Sequence, residues 1–157
     1  MIKQKDLDIL SNLRKNGRAT LTSLSRKTNV PISTIYDRLK LYTEKNLVKK
    51  YVTLLDYALL GYNTRANIIV KAKKEKKEEL REFLENHPHV NSLYKINNKY
   101  DFQIEVIFRN IKDLEEFLEQ MEEKFGVKAQ EVFYVIEELK REEFLSQPDL
   151  VKPLYML

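Results

Sequence analysis

The side chains with most to offer chemically lie between Arg18 and Lys50. Ser33, Thr34, Tyr36, Asp37 and Lys40 share a stretch whose other flank carries Ile35, Leu39 and Tyr42, at steps of four and three. That spacing predicts a helix over 31–45, with Pro31 at its start, where a missing N–H costs nothing. Small polar side chains near a helix start can approach base edges and phosphates closely, and Arg38 and Lys40 suit phosphate contact. Arg18, Arg26 and Lys27 flank the shorter segment before it, and Lys49 and Lys50 begin the segment after it. Asp37 is the odd member, because a carboxylate repels phosphate. It either accepts from a cytosine amino group or pairs with a nearby arginine, and pairing is favoured because charged helix residues are mostly matched internally. The chemistry implied is recognition of double-stranded DNA, with one helix in the major groove and its predecessor bracing the backbone. A small helical protein-interaction domain is the competing reading.

The charge distribution favours DNA. Residues 1–56 hold twelve Lys/Arg against five Asp/Glu, and residues 57–157 hold sixteen against nineteen, so a basic first third (+7) precedes a mildly acidic remainder (−3). A basic domain joined to an acidic one suggests that the first faces a polyanion.

Three helices and an extended segment must position these residues. Leu7, Ile9, Leu10 and Leu13 predict a first helix, stopped at Asn16-Gly17 by a left-handed glycine cap. Thr20 is the expected N-cap of a short second helix, Leu21 to Thr28, with Leu21 and Leu24 inward. Asn29 can take the left-handed turn position, and Asn46 can cap the third helix. Leu47 to Leu55 is expected as extended chain, a strand or wing.

After a connector at 56–63 the period changes. Ala66, Ile68, Val70 and Ala72 alternate with Arg65, Asn67, Ile69 and Lys71, the pattern of a strand. A helix over 74–86 follows, then a strand over 90–96, a turn at Asn97-Asn98-Lys99 and a strand over 102–108. Asn110 caps a helix ended by Gly126, and a fourth strand spans 130–136. This βαββαβ order is ferredoxin-like. Helices cover one sheet face, which leaves Ile69, Ile107 and part of Val132 to Ile136 on the other. An apolar open face implies a partner, most simply a second copy. The fold class is therefore α+β, an N-terminal winged helix-turn-helix over 1–55 joined to a C-terminal ferredoxin-like βαββαβ domain over 64–140. Residues 141–157, rich in Leu, Phe and Tyr, are expected to pack on their own subunit or at an interface with a neighbour.

Other chemistries are poorly supplied. The chain has no cysteine and two histidines among its 157 residues, which excludes a disulfide framework, cysteine-ligated zinc and a thiol nucleophile. His87 and His89 are expected to be solvent-exposed in a loop, not metal ligands. Asp101 and Glu105 share a strand face without a pocket to perturb them, and Phe133-Tyr134 suits sheet packing better than base stacking. No catalytic residue, metal or cofactor is expected. No apolar run approaches the ~18 residues of a membrane span, and no signal peptide is evident, so a cytoplasmic protein is expected. The abundance of Lys and Glu leans toward a thermophilic source, and an AT-rich genome gives a similar bias.

The run Leu7-Asp8-Ile9-Leu10, then Asn16-Gly17-Arg18-Ala19-Thr20, Leu24-Ser25, Thr34-Ile35, Arg38-Leu39-Lys40 and Leu47-Val48 resembles the amino-terminal domain of the leucine-responsive regulatory protein/AsnC (Lrp/AsnC) family of prokaryotic transcription regulators. The second half is similar to that family's effector-binding and oligomerising domain, and the order of elements agrees over residues 4–143. The resemblance implies sequence-specific regulation of transcription, dimers that assemble further (often octamers), palindromic sites, and a small effector, usually an amino acid. The family's strand-turn motif Gly-Asp-(Phe/Tyr)-Asp corresponds to Asn98-Lys99-Tyr100-Asp101. Tyr100 and Asp101 fit, Asn98 replaces the glycine and Lys99 inverts a charge. Those departures point away from an ordinary amino-acid effector, toward an anionic ligand or none. They also give some weight to an architectural, chromatin-like DNA-binding protein of the same fold without an effector. Some siroheme decarboxylases are similar in architecture, but His87 and His89 are the only histidines on offer, and both lie in one loop.

Overall fold

A computed structural model describes residues 2–127 and 129–155. It divides into two compact units, 1–54 with 139–157, and 55–138.

The first unit is built on α1 (Gln4–Lys15), α2 (Leu21–Thr28) and α3 (Ile32–Glu44). Ile9, Leu13, Leu24, Val30, Ile35 and Tyr42 form its core, with Leu10, Leu21, Leu39 and Val48 packed around them. Leu7 stays outside that cluster. Local chemistry sets the helix ends. The Thr20 hydroxyl accepts from the Ser23 N–H at 3.1 Å, and Asn29 turns the chain toward α3 at φ 53°. At the end of α1 the expected glycine cap is absent. Asn16 leaves the helix in extended geometry (φ −147°), and its side-chain oxygen accepts from the Arg18 N–H at 3.0 Å. Gly17 therefore needs no left-handed conformation.

After α3, Asn46 adopts φ 54°, and the Leu47 and Val48 N–H groups donate back to the Tyr42 carbonyl at 2.8 and 3.1 Å. Residues 49–55 then run without forming a strand. A strand requires a laterally paired neighbour, and no described strand pairs with this segment. The segment expected as a strand or wing is thus irregular extended chain.

The C-terminal extension completes this unit from its own chain. α6 (Pro148–Tyr155) packs on α1, with Val151 buried. Arg14 donates to the Phe144 carbonyl at 2.9 Å and the Glu142 carbonyl at 2.8 Å. Within one chain, α6 of this extension thus packs on α1.

The second unit contains β1 (Thr64–Lys71), α4 (Lys77–Asn86), β2 (Val90–Lys95), β3 (Phe102–Phe108), α5 (Ile111–Phe125) and β4 (Ala129–Tyr134). The strands form one antiparallel sheet in the order β2-β3-β1-β4. Ala66, Ile68 and Val70 of β1 meet Val106, Ile104 and Phe102 of β3. That face packs on Leu80 and Leu84 of α4 and on Leu114, Phe117, Leu118 and Met121 of α5. Each large apolar side chain buried this way contributes about 1.5–3 kcal/mol. The Asn110 side chain accepts from the Asp113 N–H at 3.0 Å to start α5, and Gly126 ends it at φ 58°. The connector 56–63 folds with this unit: the Asn63 N–H donates to the Arg109 carbonyl at 3.4 Å.

Candidate nucleic-acid interface

Ile32, Ser33, Tyr36, Asp37 and Lys40 recur at steps of one, three or four along α3. At 100° per residue they occupy one flank of that helix, with Ile35 and Tyr42 on the buried side. All five are exposed, as is Thr34. Arg18, Arg26, Lys27, Lys49 and Lys50 are exposed as well. Lys40 makes only a loose ion pair, 4.0 Å from Glu44, with its side chain 67% exposed.

One sequence expectation fails on this helix: Asp37 pairs with no arginine among the described residues. Arg38 Nη1 lies 3.1 Å from Oδ1 of Asp6 on α1, a residue 2% exposed. The Tyr42 hydroxyl donates to the same oxygen at 2.6 Å, and the Lys3 N–H donates to Oδ2 at 2.7 Å. Arg38 therefore anchors α3 to α1 through one guanidinium nitrogen, with its side chain about a third exposed. Asp37 does not take it as a partner and makes no ion pair among the described residues. Burial alone would raise the Asp6 carboxyl pKa. The Tyr42 hydroxyl, the Lys3 amide and the Arg38 charge outweigh it and hold the carboxyl below its ordinary 3.8. Burial and the Asp6 carboxylate push the Tyr42 phenol well up. Asp6 escaped the sequence reading. The available signal was Arg38 and Tyr42 four apart on one helix face, which calls for an acid opposite.

In the second unit, Asn98 adopts φ 65°, the left-handed conformation that glycine takes most easily and asparagine tolerates. Lys99 Nζ sits 3.8 Å from a carboxylate oxygen of Glu131 on β4, and the Tyr100 hydroxyl donates to the same carboxylate. Asp101 behaves differently. It is buried and accepts from Lys77 Nζ and, at 3.1 Å, from the Ala72 N–H, with Lys71 Nζ 3.9 Å away. Burial would raise its pKa, and these donors and charges hold it below 3.8 instead. The four residues thus divide. Lys99 and Tyr100 meet β4 through Glu131, and Asp101 is engaged inside the unit.

The sheet face away from the helices mixes Tyr94, Ile69, Ile107 and Phe133 with a polar ladder. Glu105 accepts from Arg65 and, at 3.2 Å, from the Ser92 hydroxyl, and Arg65 also pairs with Glu138. Asp101 and Glu105 consequently belong to separate networks and form no carboxylate pair.

Residues 2–49 match the family model for a winged helix-turn-helix DNA-binding domain, and residues 65–144 match that for the Lrp/AsnC ligand-binding domain. The chain belongs to the Lrp/AsnC family. This Lrp/AsnC regulator is 29% identical to the HTH-type transcriptional regulator FL11 of Pyrococcus furiosus, over 83% of the chain and 87% of that relative. It is 31% identical to an HTH-type transcriptional regulator of Pyrococcus horikoshii, over 80% of each chain. Its fold matches the transcriptional regulator NMB0573 of Neisseria meningitidis, solved as an L-Met complex, with TM-score 0.82 at 23% identity, over 90% of this chain and 94% of that one. Escherichia coli AsnC gives TM-score 0.78 at 21% identity, over 90% and 96%. The Lrp/AsnC chain is a transcription regulator and not an enzyme.

Two further features of the regulator bear on chemistry. Among the described residues, no helix is long and apolar enough to cross a membrane, and no group of three or more potential ligands is placed to hold a metal. His87 and His89 are half-buried, not solvent-exposed as expected, because both rings pack into an aromatic cluster. His89 stacks on Phe108 at 4.4 Å, and His87 packs against Phe117 at 4.7 Å and Phe83 at 5.1 Å. Burial, and then the neighbouring His89, lower the His87 pKa from 6.5. The unfolded chain therefore takes up a proton at a higher pH than the folded one. The associated stability is complete above about pH 6.5 and is lost as pH falls through that value toward the folded pKa. The thermal midpoint of the wild type is expected to drop between pH 7.5 and 5.5, and His87→Phe should flatten that slope. Parallel curves would show that His87 does not titrate with folding.

Proposed function

We propose that this regulator acts in the cytoplasm as a dimer or higher oligomer on palindromic duplex sites, with α3 in the major groove and α2 across the backbone. The observation that carries this reading is the flank of α3 bearing Ser33, Tyr36, Asp37 and Lys40, exposed and following the left-handed turn at Asn29. Arg18, Arg26, Lys27, Lys49 and Lys50 supply the surrounding cations. The mixed apolar sheet face suits a second copy. In the 65–144 domain, Lys99 and Tyr100 at the β2–β3 turn are the natural contacts for a small anionic effector, because Lys99 presents a largely exposed cation there.

The test is DNA binding as a function of salt. Lys40→Ala should weaken binding to all duplex sequences alike. It should also reduce the slope of log affinity against log salt by about 0.9, the amount for one phosphate contact. The substitution removes an exposed side chain, so the folded stability should not change. Unaltered affinity and slope would place α3 away from the DNA. Sites selected from a random duplex pool should show two half-sites about 34 Å apart, centre to centre, if a dimer binds.

A further inference from the structure

We propose that α3 reads a C·G pair through the Asp37 carboxylate, and neighbouring thymine methyl groups through Ile32 and Tyr36. This rests on the reading above, in which α3 enters the major groove.

The argument starts from which side chains remain free. In the first two turns of α3 the only cation is Arg38, and it is bound to buried Asp6. No arginine or lysine there can form the paired contact to guanine O6 and N7 that dominates base readout. Lys40 lies eight residues beyond Ile32, about 12 Å along the axis at 1.5 Å per residue. Base edges are met mostly by the N-terminal residues of such a helix.

What those turns do present is two apolar side chains and a carboxylate. Ile32 is 45% exposed and Tyr36 is 59% exposed, one turn apart on the same flank. Neither belongs to the core cluster of this unit. Beside them, Asp37 is exposed, and no ion pair neutralises it among the described residues. A lone carboxylate on a DNA-facing flank is repelled by every phosphate, so it contributes only where a donor awaits it. In the major groove the cytosine N4 amino group is such a donor, and apolar side chains match the thymine methyl. Ile32 and Asp37 are separated by about 7.5 Å along the helix, roughly two base-pair steps of 3.4 Å. The three side chains can therefore address two or three consecutive pairs. The half-site they favour has a C·G pair bordered by T·A pairs, with cytosine and the thymines as the bases read.

The experiment is selection from a random duplex pool by the full chain, in parallel with Asp37→Asn and Ile32→Ala. Far-ultraviolet circular dichroism and thermal midpoints are used to confirm folding. Wild type should enrich one C·G pair per half-site. Asp37→Asn should lose about tenfold of that preference and shift the position toward A·T, because an asparagine side chain pairs with adenine N6 and N7. In the selected duplex, replacing the bordering thymines by deoxyuridine should weaken wild-type binding about fourfold per methyl removed. Ile32→Ala should be indifferent to at least one of these replacements. An unchanged consensus with Asp37→Asn, or equal deoxyuridine sensitivity in wild type and Ile32→Ala, would overturn the assignment. DNA recovered by wild type without any consensus would also overturn it, while leaving an architectural DNA-binding role. Failure of wild type to bind any duplex at 50 mM salt would instead remove the underlying reading of α3.

Discussion

Asp6→Ala is expected to destabilise the DNA-binding unit by about 3 kcal/mol, more than any exposed substitution on α3. The carboxylate joins two elements through three partners: the first turn of α1 through the Lys3 N–H, and α3 through the Tyr42 hydroxyl and Arg38. Its removal leaves the buried Tyr42 hydroxyl without an acceptor, at about 1–3 kcal/mol, and strips the cap from α1, at about 1 kcal/mol. The Arg38 side chain is about a third exposed and regains water, so its share is small. Urea unfolding of the two proteins gives the comparison. Arg38→Ala should cost less, because Asp6 keeps its other two donors, and it should leave the salt dependence of DNA binding unchanged in any site the folded protein still recognises. A salt slope reduced as in Lys40→Ala would return Arg38 to the phosphate contacts. Because the folded pKa of Asp6 lies below 3.8, its contribution is present above that pH and is lost as pH falls through the folded value.

The second large effect is expected at Asp101. Asp101→Ala should destabilise the ligand-binding unit by about 2–3 kcal/mol. The principal loss is the acceptor for the Ala72 N–H, which lies at the end of β1 and is itself buried. The backbone of Asp101 remains in place in either variant, its N–H donating to the Val70 carbonyl at 2.8 Å. Asp101→Asn keeps one side-chain acceptor and should recover about half of the stability. The Lys77 ion pair contributes less, since that lysine is about a third exposed. Acid should reproduce the effect in the wild type, whose stability falls as pH drops below 3.8 toward the folded pKa of Asp101. Equal acid sensitivity in wild type and Asp101→Asn would show that this carboxyl does not titrate with unfolding.

These two carboxylates mark where sequence reading stopped. Both belong to clusters whose members are far apart in the chain: Asp6 with Arg38 and Tyr42, Asp101 with Lys77 and Ala72. Periodicity places each residue on a face of its own element, but the opposing element is set by packing. The same gap explains the reversal on α3. From the sequence, Asp37 is expected to pair with a nearby arginine. In the fold, consecutive residues point about 100° apart, so Arg38 turns to Asp6 and Asp37 is left in solvent. His87 and His89 were expected in water because a loop between a helix and a strand is ordinarily wet. Contacts with Phe83, Phe108 and Phe117 from three other elements draw them inward.

By itself the sequence determined the order and type of α1 to α5 and of the four sheet strands, the caps at Thr20, Asn29, Asn110 and Gly126, and the exposed flank of α3. These depend on hydrophobic period and on backbone preferences that act within a few residues. Only the tertiary structure decided that 49–55 forms no strand, that the C-terminal extension returns to α1, and which charges are already matched. A strand exists only with a partner, and an apolar segment specifies that it must be covered but not by what. An ion pair forms wherever the fold brings opposite charges together. That internal pairing engages Arg38 with Asp6 and leaves Asp37 without an ion pair among the described residues.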